Sequence, residues 1–339
     1  MGQIIMTQTI GLTYDLRSDY LAEGYTEEQV AEFDMDDTVD ALEAALRSLG
    51  YNTDRIGHAR ALCGRLVAGD RWDLVFNIAE GVNGRCREAQ VPALLELYGI
   101  PYTCSDPLVC AATLDKAVAK RLVQAAGLHT PRFCVIGSQA ELEADSLPLK
   151  LPVFAKPIAE GTGKGIDAAS RIEDIATLRA ACRQLLARYG QPVLIEEYLP
   201  GREFTTAIVG TGAAARVIGT MEIRIKDGAP AADYSYVIKE QCDQFVDYLP
   251  APDEPLRADV DRLALAAYRA LECRDVGRVD IRCDRDGRPA FIEINPLPGI
   301  HPHHSDLPMI AAQQGIGYVE LIGAIVGSAF QRAGGNNGR

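Results

Sequence analysis

The chain has 339 residues, 47% of them hydrophobic and 24% charged, which is enough for two or three modules with buried cores. A formal charge of −13 speaks against a general nucleic-acid binder, which presents a basic face to phosphates. It leaves room for an anionic small ligand, because a few lysines can make a local positive pocket. No basic stretch leads into a long apolar core and no apolar run reaches membrane-spanning length, so a cytoplasmic protein without a membrane partner is expected. Nine cysteines are scattered without a C-x-x-C pair, as befits small buried side chains in a reducing compartment.

In chain order, "TIGLTY" (9–14) reads as a first buried strand. The acidic stretch from Asp15 to Asp37 is long for a strand-to-helix link, and long connections are often functional. "DDTVDALEAALRSLGY" follows as a helix, with Val39, Leu42, Leu46 and Leu49 at helical spacing, an Asp to cap the start and Gly50 as the stop. "WDLVFNI" (72–78) is a second strand, and "VPALLELYGIPY" a helix running into another strand start. This alternation predicts a parallel sheet with helices on its faces, an α/β module.

The next unit has helices in "LDKAVAKRLVQAAG" and "RIEDIATLRAACRQLLARYG" and strands in "VFAKP" and "PVLIEEYL". From about residue 202 the pattern becomes "EFTTAIVG", "ARVIGTMEIRI", "GRVDIRC" and "AFIEIN", strands mostly joined by short turns such as "DRDG". Such spacing marks antiparallel pairing, interrupted by one helix, "ADVDRLALAAYRALEC", so the later modules read as α+β. The "GGNNGR" end looks disordered.

Two features carry chemistry. "KPIAEGTGKGI" (156–166) sets Gly161, Gly163 and Gly165 after a strand, where a loop without Cβ atoms can bring several N–H groups close to phosphate oxygens. It is not a Walker A loop, since Ile158 and Gly165 stand where that motif needs Gly and Ser or Thr. Lys156 sits within an apolar strand and calls for a counter-charge, which a polyphosphate would supply.

The second feature is a hairpin. Arg278, Asp280 and Arg282 alternate along one strand and Glu293 and Asn295 along the next, so the "DRDG" turn brings Asp280 near Glu293 and Asn295. Three oxygen donors suit Mg²⁺ or Mn²⁺. "HPHH" offers His301, His303 and His304 to zinc instead, but Pro302 breaks regular geometry and no second ligand set lies nearby. A polar loop over the site, with one histidine touching substrate, is the better reading.

"DK" (115–116), "VFAKPIAEGTGKGI", "VLIEEYLPGREFT", "GRVDIRCDRDG", "FIEINPLPG" and "SDLPMIAAQQGI" stand in the order and spacing of ATP-grasp enzymes. They resemble most the D-alanine–D-alanine ligases, and "VFNIAEG" with "VPALLELYGIPYT" extends the resemblance over nearly the whole chain. The resemblance implies an ATP-grasp fold with an N-terminal Rossmann-like parallel-sheet domain over 1–104. A central subdomain with the glycine loop would span 105–199, a C-terminal subdomain with the metal site 200–332, and a disordered tail 333–339.

It also implies a reaction: ATP phosphorylates a carboxylate, and an amine attacks the acyl phosphate. Carried over by motif, Lys116 and Lys156 contact the α- and β-phosphates, and Glu160, Gly161, Thr162, Gly163 and Gly165 form the cover. Glu196, Glu197 and Leu199 belong to the adenine hinge, and Glu203 binds the ribose hydroxyls. Asp280, Glu293 and Asn295 hold the metal ions. Arg278 stabilises the transferring phosphoryl group and the tetrahedral intermediate, Lys239 reaches the γ-phosphate, and Gly299 is counted with them among the catalytic groups. The family further implies small amino-acid substrates and a homodimer through the N-terminal domain.

The amino-acid half departs from the family pattern. The short loop that bears the family's ammonium-binding glutamate is here the long 15–37 segment, in which Glu32 and Asp34 are the candidates. Thr162 replaces the loop serine, Glu240 the tyrosine after the mobile lysine, and "EGVNGRCRE" the family's "HG…GEDG". The turn before Ser305 is one residue longer. Glu32, Glu80, Glu240, Ser305 and Asp306 are therefore the expected substrate contacts, with Glu80 and Glu240 favouring a substrate with an extra amine. Two other functions compete with the ligase: a silent ATP- or ADP-binding regulator of the same fold, and a zinc hydrolase built on the three histidines. Retention of Arg278 and all three oxygen ligands argues against the regulator.

Overall fold

The computed structural model describes residues 8–143, 148–226 and 242–335. The first module runs β1 (Thr9–Thr13), α1 (Arg17–Ala22), α2 (Asp36–Ser48), β2 (Asn52–Gly57), α3 (Ala59–Ala68), β3 (Leu74–Asn77) and α4 (Gln90–Leu97), and α5 (Pro107–Leu114) follows past residue 104, its Val109 and Leu114 packing against α6 (Lys116–Ala125). Its strands pair in parallel in the order β2-β1-β3. β1 is central, and Ile10 and Leu12 are wholly buried. On one face Val39, Leu42 and Leu46 of α2 repeat at helical spacing and are buried, each removing about 1.5–3 kcal/mol of apolar surface cost from water. The expected Asp cap is not formed. Met35 is the N-cap without a side-chain bond, while Asp36 and Asp37 occupy the first turn, where carboxylates favour the helix dipole. β2 was not apparent in the sequence because "NTDRIG" is a polar edge strand with only Ile56 fully buried. The long 15–37 link holds α1 and a backbone bridge from Leu16 to Asp34.

The second module contains α6 (Lys116–Ala125), β4 (Phe133–Ile136), α7 (Gln139–Glu143), β5 (Val153–Pro157), β6 (Arg171–Ile172), α8 (Ile175–Tyr189) and β7 (Val193–Glu197). Its strands form an antiparallel sheet in the order β4-β7-β5-β6. α8 begins later than the sequence pattern indicated. "RI" forms β6, and Asp174 caps the helix by accepting from the Thr177 N–H at 2.9 Å.

The third module contains β8 (Glu203–Val209), β9 (Arg216–Ile225), α9 (Cys242–Phe245), β10 (Val246–Pro250), α10 (Pro255–Ala270), β11 (Val276–Cys283), β12 (Pro289–Asn295), α11 (Asp306–Gln313) and α12 (Tyr318–Gly335). Five antiparallel strands lie in the order β10-β9-β8-β11-β12. α10 covers one face, where Val260, Ala264, Ala267 and Tyr268 meet Val279, Ile281 and Phe291. On the other face α11 and α12 complete a core that also contains Ile10, Leu12, Leu42, Leu46 and Phe76 of the first module. The first and third modules thus share one interior. α12 continues to Gly335, so the expected tail at 333–339 is helical over its first three residues.

No single described helix is long and apolar enough to cross a membrane; α11 and α12 pass only as a bent pair, and their apolar residues lie in the shared core. Among the described residues eight cysteines are free thiols, and Cys104, Cys110, Cys182, Cys273 and Cys283 are buried. These five pack as the small apolar residues expected, whereas Cys63 and Cys86 are exposed and Cys134 is half-buried.

Candidate active site

The β11–β12 hairpin sets the register of the site. Asp280 lies opposite Glu293 and Arg278 opposite Asn295, as period-two alternation requires. Arg278 donates from Nη1 to both Asp280 oxygens, at 2.6 and 2.8 Å, and lies 3.1 Å from Asp306 at the start of α11. Thr205 on β8 donates to Asp280 at 2.8 Å, and Lys116 stands 3.3 Å from Glu293. Cations already lean on the hairpin carboxylates, which holds them in place before any ligand arrives.

This donor set suits a hard divalent ion: two carboxylates and an amide, with remaining positions left for phosphate oxygens and water. The Asn295 Nδ2 atom is buried and has no hydrogen-bond partner among the described residues, so the protein's own bonds do not account for its placement. Zinc finds no such set. Among the described residues no three His, Cys, Asp or Glu side chains converge on a metal position. His301 Nδ1 instead accepts from the backbone N–H groups of His303 and His304, both at 3.2 Å, and its Nε2 faces Asp37.

Beside the hairpin lies a cleft of about 100 Å³ between the second and third sheets. Lys116, Lys156, Glu160, Gly161 and Gly163 line one side, and Arg278, Asp280 and Glu293 the other. Phe154, Ile166, Leu199, Ile223 and Ile292 give its far end an apolar lining suited to a flat base, and Glu197 and Glu203 stand beside them. Arg282 reaches Glu203 at 3.5 Å.

Lys156 corrects one expectation. Its counter-charge is not left to a phosphate: Glu196 on β7 lies 2.8 Å away, and the buried Lys120 of α6 lies 2.8 Å from the other Glu196 oxygen. Burial alone would raise the Glu196 carboxyl, but the two ammonium groups override it and hold it at about 2. Burial also works against Lys156, yet Glu196 and Glu293 raise it, so it stays charged at the cleft. Glu196 thus enters through its side chain as well as its place in the strand.

The glycine loop folds down on the same cleft. Thr162, Gly163 and Gly165 have positive φ of 52°, 71° and 74°. A Cβ on Gly165 would come within 2.5 Å of Pro157, so that glycine serves close packing behind the loop, away from the cleft lining. The loop is tied to the first module through Glu32. This carboxylate accepts from the Gly161 N–H at 2.5 Å, pairs with Arg87 at 2.9 Å and lies 3.3 Å from Lys164. Lys164 also pairs with Glu160 at 2.5 Å, and Arg87 donates to the Ala159 carbonyl at 2.9 Å. Burial would raise Glu32, but Arg87 and Lys164 outweigh it and lower its carboxyl. Sequence reasoning missed Arg87 and Lys120, whose acid partners Glu32 and Glu196 lie dozens of residues away, and Lys164, whose pairing with Glu160 is local but whose contact with Glu32 is not.

Beyond the hairpin opens a cavity of about 400 Å³ lined by residues of all three modules. Asn295, Gly299, Ser305 and Asp306 line one side with His301 and His304, while Glu32, Asp34, Glu80, Glu88 and Thr162 line the other. Gly299 is required there, since a Cβ would come within 2.8 Å of the Ser305 hydroxyl. Burial and the neighbouring Asp15 and Asp37 push Asp34 up to about 7. Burial with Glu88 and Glu32 nearby raises Glu80 far more. Glu88 was not singled out from the sequence, although it closes the "EGVNGRCRE" segment. Lys239 and Glu240 lie outside the described residues.

Two antiparallel sheets clasping a lysine-lined cleft, with paired carboxylates on a terminal hairpin, define the class: an ATP-grasp enzyme of the carbon–nitrogen ligase type. The chain belongs to the D-alanine–D-alanine ligase family. The model of the D-ala D-ala ligase C-terminus matches residues 122–327. The chain is 37% identical over 287 residues to a D-alanine–D-alanine ligase of Bordetella petrii, covering 84% of each chain. It is also 38% identical to the ligase of Bordetella pertussis, over 80% of this chain and 82% of that one. An uncharacterised protein of Sinorhizobium fredii, y4sG, is 35% identical over 78% of this chain and 76% of its own. Among solved structures, the Bacillus anthracis D-alanine–D-alanine ligase complexed with ATP superposes with a TM-score of 0.75 at 23% identity, covering 98% of this chain and 99% of that one. The VanG D-Ala:D-Ser ligase of Enterococcus faecalis gives 0.74 at 20% identity, covering 96% and 100%; likeness at this level speaks to the fold alone.

Proposed function

We propose that the chain joins a carboxylate to an amine using ATP, through an acyl phosphate, with ADP and phosphate released. The observation that carries this reading is the shared wall of the two hollows. Lys116, Glu160, Gly161, Arg278 and Glu293 line both the nucleotide cleft and the amino-acid cavity, so a terminal phosphoryl group held in one faces a carboxylate held in the other. The relative from Bacillus anthracis, described with ATP, supports nucleotide in the cleft.

In this reading a substrate carboxylate oxygen attacks the γ-phosphorus and the bond to ADP breaks. A neutral amine then attacks the acyl carbon, phosphate leaves, and the amine nitrogen loses its proton. Lys116 and Lys156 balance phosphate charge, and Arg278 faces both the transferring group and the tetrahedral oxyanion that follows. Asp280, Glu293 and Asn295 would hold Mg²⁺ or Mn²⁺, whose contribution is to neutralise phosphate oxygens. Glu203 binds ribose and the 196–199 hinge the adenine, while the Gly161–Gly165 loop excludes water. Gly299, Ser305 and Asp306 bound the amino-acid side, Lys239 is assigned to the γ-phosphate and Glu240 to the substrate. A homodimer through the N-terminal module is part of the same reading, and exposed Val67 and Leu97 supply apolar surface for it.

Phosphate release with ATP, Mg²⁺ and a panel of D- and L-amino acids tests the proposal. Release that depends on an amino acid and matches ADP formation is expected. Tight ATP binding without amino-acid-dependent release would instead mark a nucleotide-binding regulator.

A further inference from the structure

The carboxylates that line the amino-acid cavity fall into two groups. Glu32 and Glu160 face Lys164, Glu293 faces Lys116, and Asp306 faces Arg278. Asp34, Glu80 and Glu88 line the same cavity, and among the described residues their side chains have no hydrogen bond or ion pair. Arg87, the cation beside Glu80 and Glu88, directs its guanidinium to Glu32 and to the Ala159 carbonyl. Arg17 at the rim is paired with Glu27 at 2.7 Å. Glu88 is only 9% exposed and lines the cavity without an ion pair or side-chain hydrogen bond among the described residues, because the cations nearest it, Arg87 and Lys116, are engaged with Glu32 and Glu293. Such a group is costly to keep unless a cation or a donor reaches it.

One α-ammonium cannot answer three carboxylates. Glu32, the candidate for that ammonium from the sequence, is already neutralised by two cations. Burial favours the protonated form of these carboxyls in the free protein; positive charge from the substrate would displace those protons, and an ammonium with three N–H donors matches the acceptors that result. We propose that the Asp34–Glu80–Glu88 wall selects a substrate carrying a second amino group, so that a diamino acid is one of the two molecules joined. This rests on the ligase reading given above.

Titration calorimetry of 2,4-diaminobutyrate and of alanine, both enantiomers of each, into the full chain with ADP and Mg²⁺ tests it. The diamino acid is expected to bind about tenfold or more tightly than alanine, and E88Q to cut that ratio to about threefold or less. E80Q should lower it too, while thermal midpoints of both variants stay at or above the parent value, since a neutral amide replaces an unpaired acid. Alanine binding as tightly as the diamino acid, binding of neither, or a ratio unmoved in both variants overturns the proposal. Phosphate release measured on the same samples separates the two ideas. Release with alanine but no diamino preference leaves the ligase and removes the wall's role, whereas no release with any amino acid defeats the ligase and leaves the binding ratio to decide the wall.

Discussion

In the nucleotide cleft each positive group has an acid beside it: Lys156 has Glu196, Lys116 has Glu293, Arg278 has Asp280, and Arg282 has Glu203. In the adjoining amino-acid cavity Asp34, Glu80 and Glu88 make no ion pair or side-chain hydrogen bond among the described residues, Arg87 and Lys116 being engaged with Glu32 and Glu293, and burial raises all three carboxyls. The first region is preorganised. Its dipoles and charges are fixed by the sheets and need no ligand to hold their places, which is what stabilising a transferring phosphoryl group requires. The second is completed by what enters it. In the reading proposed above, reaction type and substrate choice are separated in space, one resting on paired groups and the other on unpaired acids.

The largest expected effect comes from breaking the paired side at the hairpin. Glu293→Gln or Asp280→Asn should lower turnover by on the order of 10³-fold in the phosphate-release assay, because each removes a fixed charge at the reacting phosphate. A loss below about tenfold would detach the hairpin from the chemistry. Next is Glu196→Ala, which leaves Lys120 and Lys156 buried without their common partner and should cost about 3–5 kcal/mol in denaturant unfolding. The pH dependence has a definite sign. Glu196 has a folded value depressed to about 2 from 4.5, so its contribution is present above pH 4.5 and disappears as pH falls toward 2. The stability gap between parent and Glu196→Ala should therefore narrow by about 3 kcal/mol over that window; a gap independent of pH would mean that the triad is not ionised as described.

A third change sharpens the boundary between the two regions. Glu32→Gln keeps the Gly161 contact but removes the charge held by Arg87 and Lys164, so KM for ATP should rise about tenfold with kcat nearly unchanged. If KM for the amino acid moves instead, Glu32 belongs to the substrate side. The smallest effect is expected at His303, whose exposed ring lies off both hollows: His303→Ala should keep turnover within about twofold of the parent.

The sequence carried the alternation of the hairpin strands, and with it the meeting of Asp280, Glu293 and Asn295, because a period of two and a tight turn leave little freedom. It also showed the glycine loop, since three glycines after a strand are a local signal. It did not show that Glu196 would serve as the shared counter-ion of Lys120 and Lys156. Along β7, "LIEE" gives no sign of which face meets α6. Nor could it show the Glu32 cradle, whose members come from the first link, the segment after β3 and the glycine loop. β2 escaped notice because an edge strand needs few apolar residues. α11 and α12 were not assigned from the sequence, although Leu307, Ile310 and Ala311 and then Leu321, Ile322, Ile325, Val326 and Ala329 recur at helical spacing.

The common interior of the first and third modules bears on how the protein is made. Ile10, Leu12, Leu42, Leu46 and Phe76 are synthesised well before Leu321, Ile322, Ile325 and Val326, which cover them. The opening sheet must wait, with one flank bare, until α12 emerges. A chain halted before residue 318 would present that flank to chaperones and proteases however well its middle module had folded.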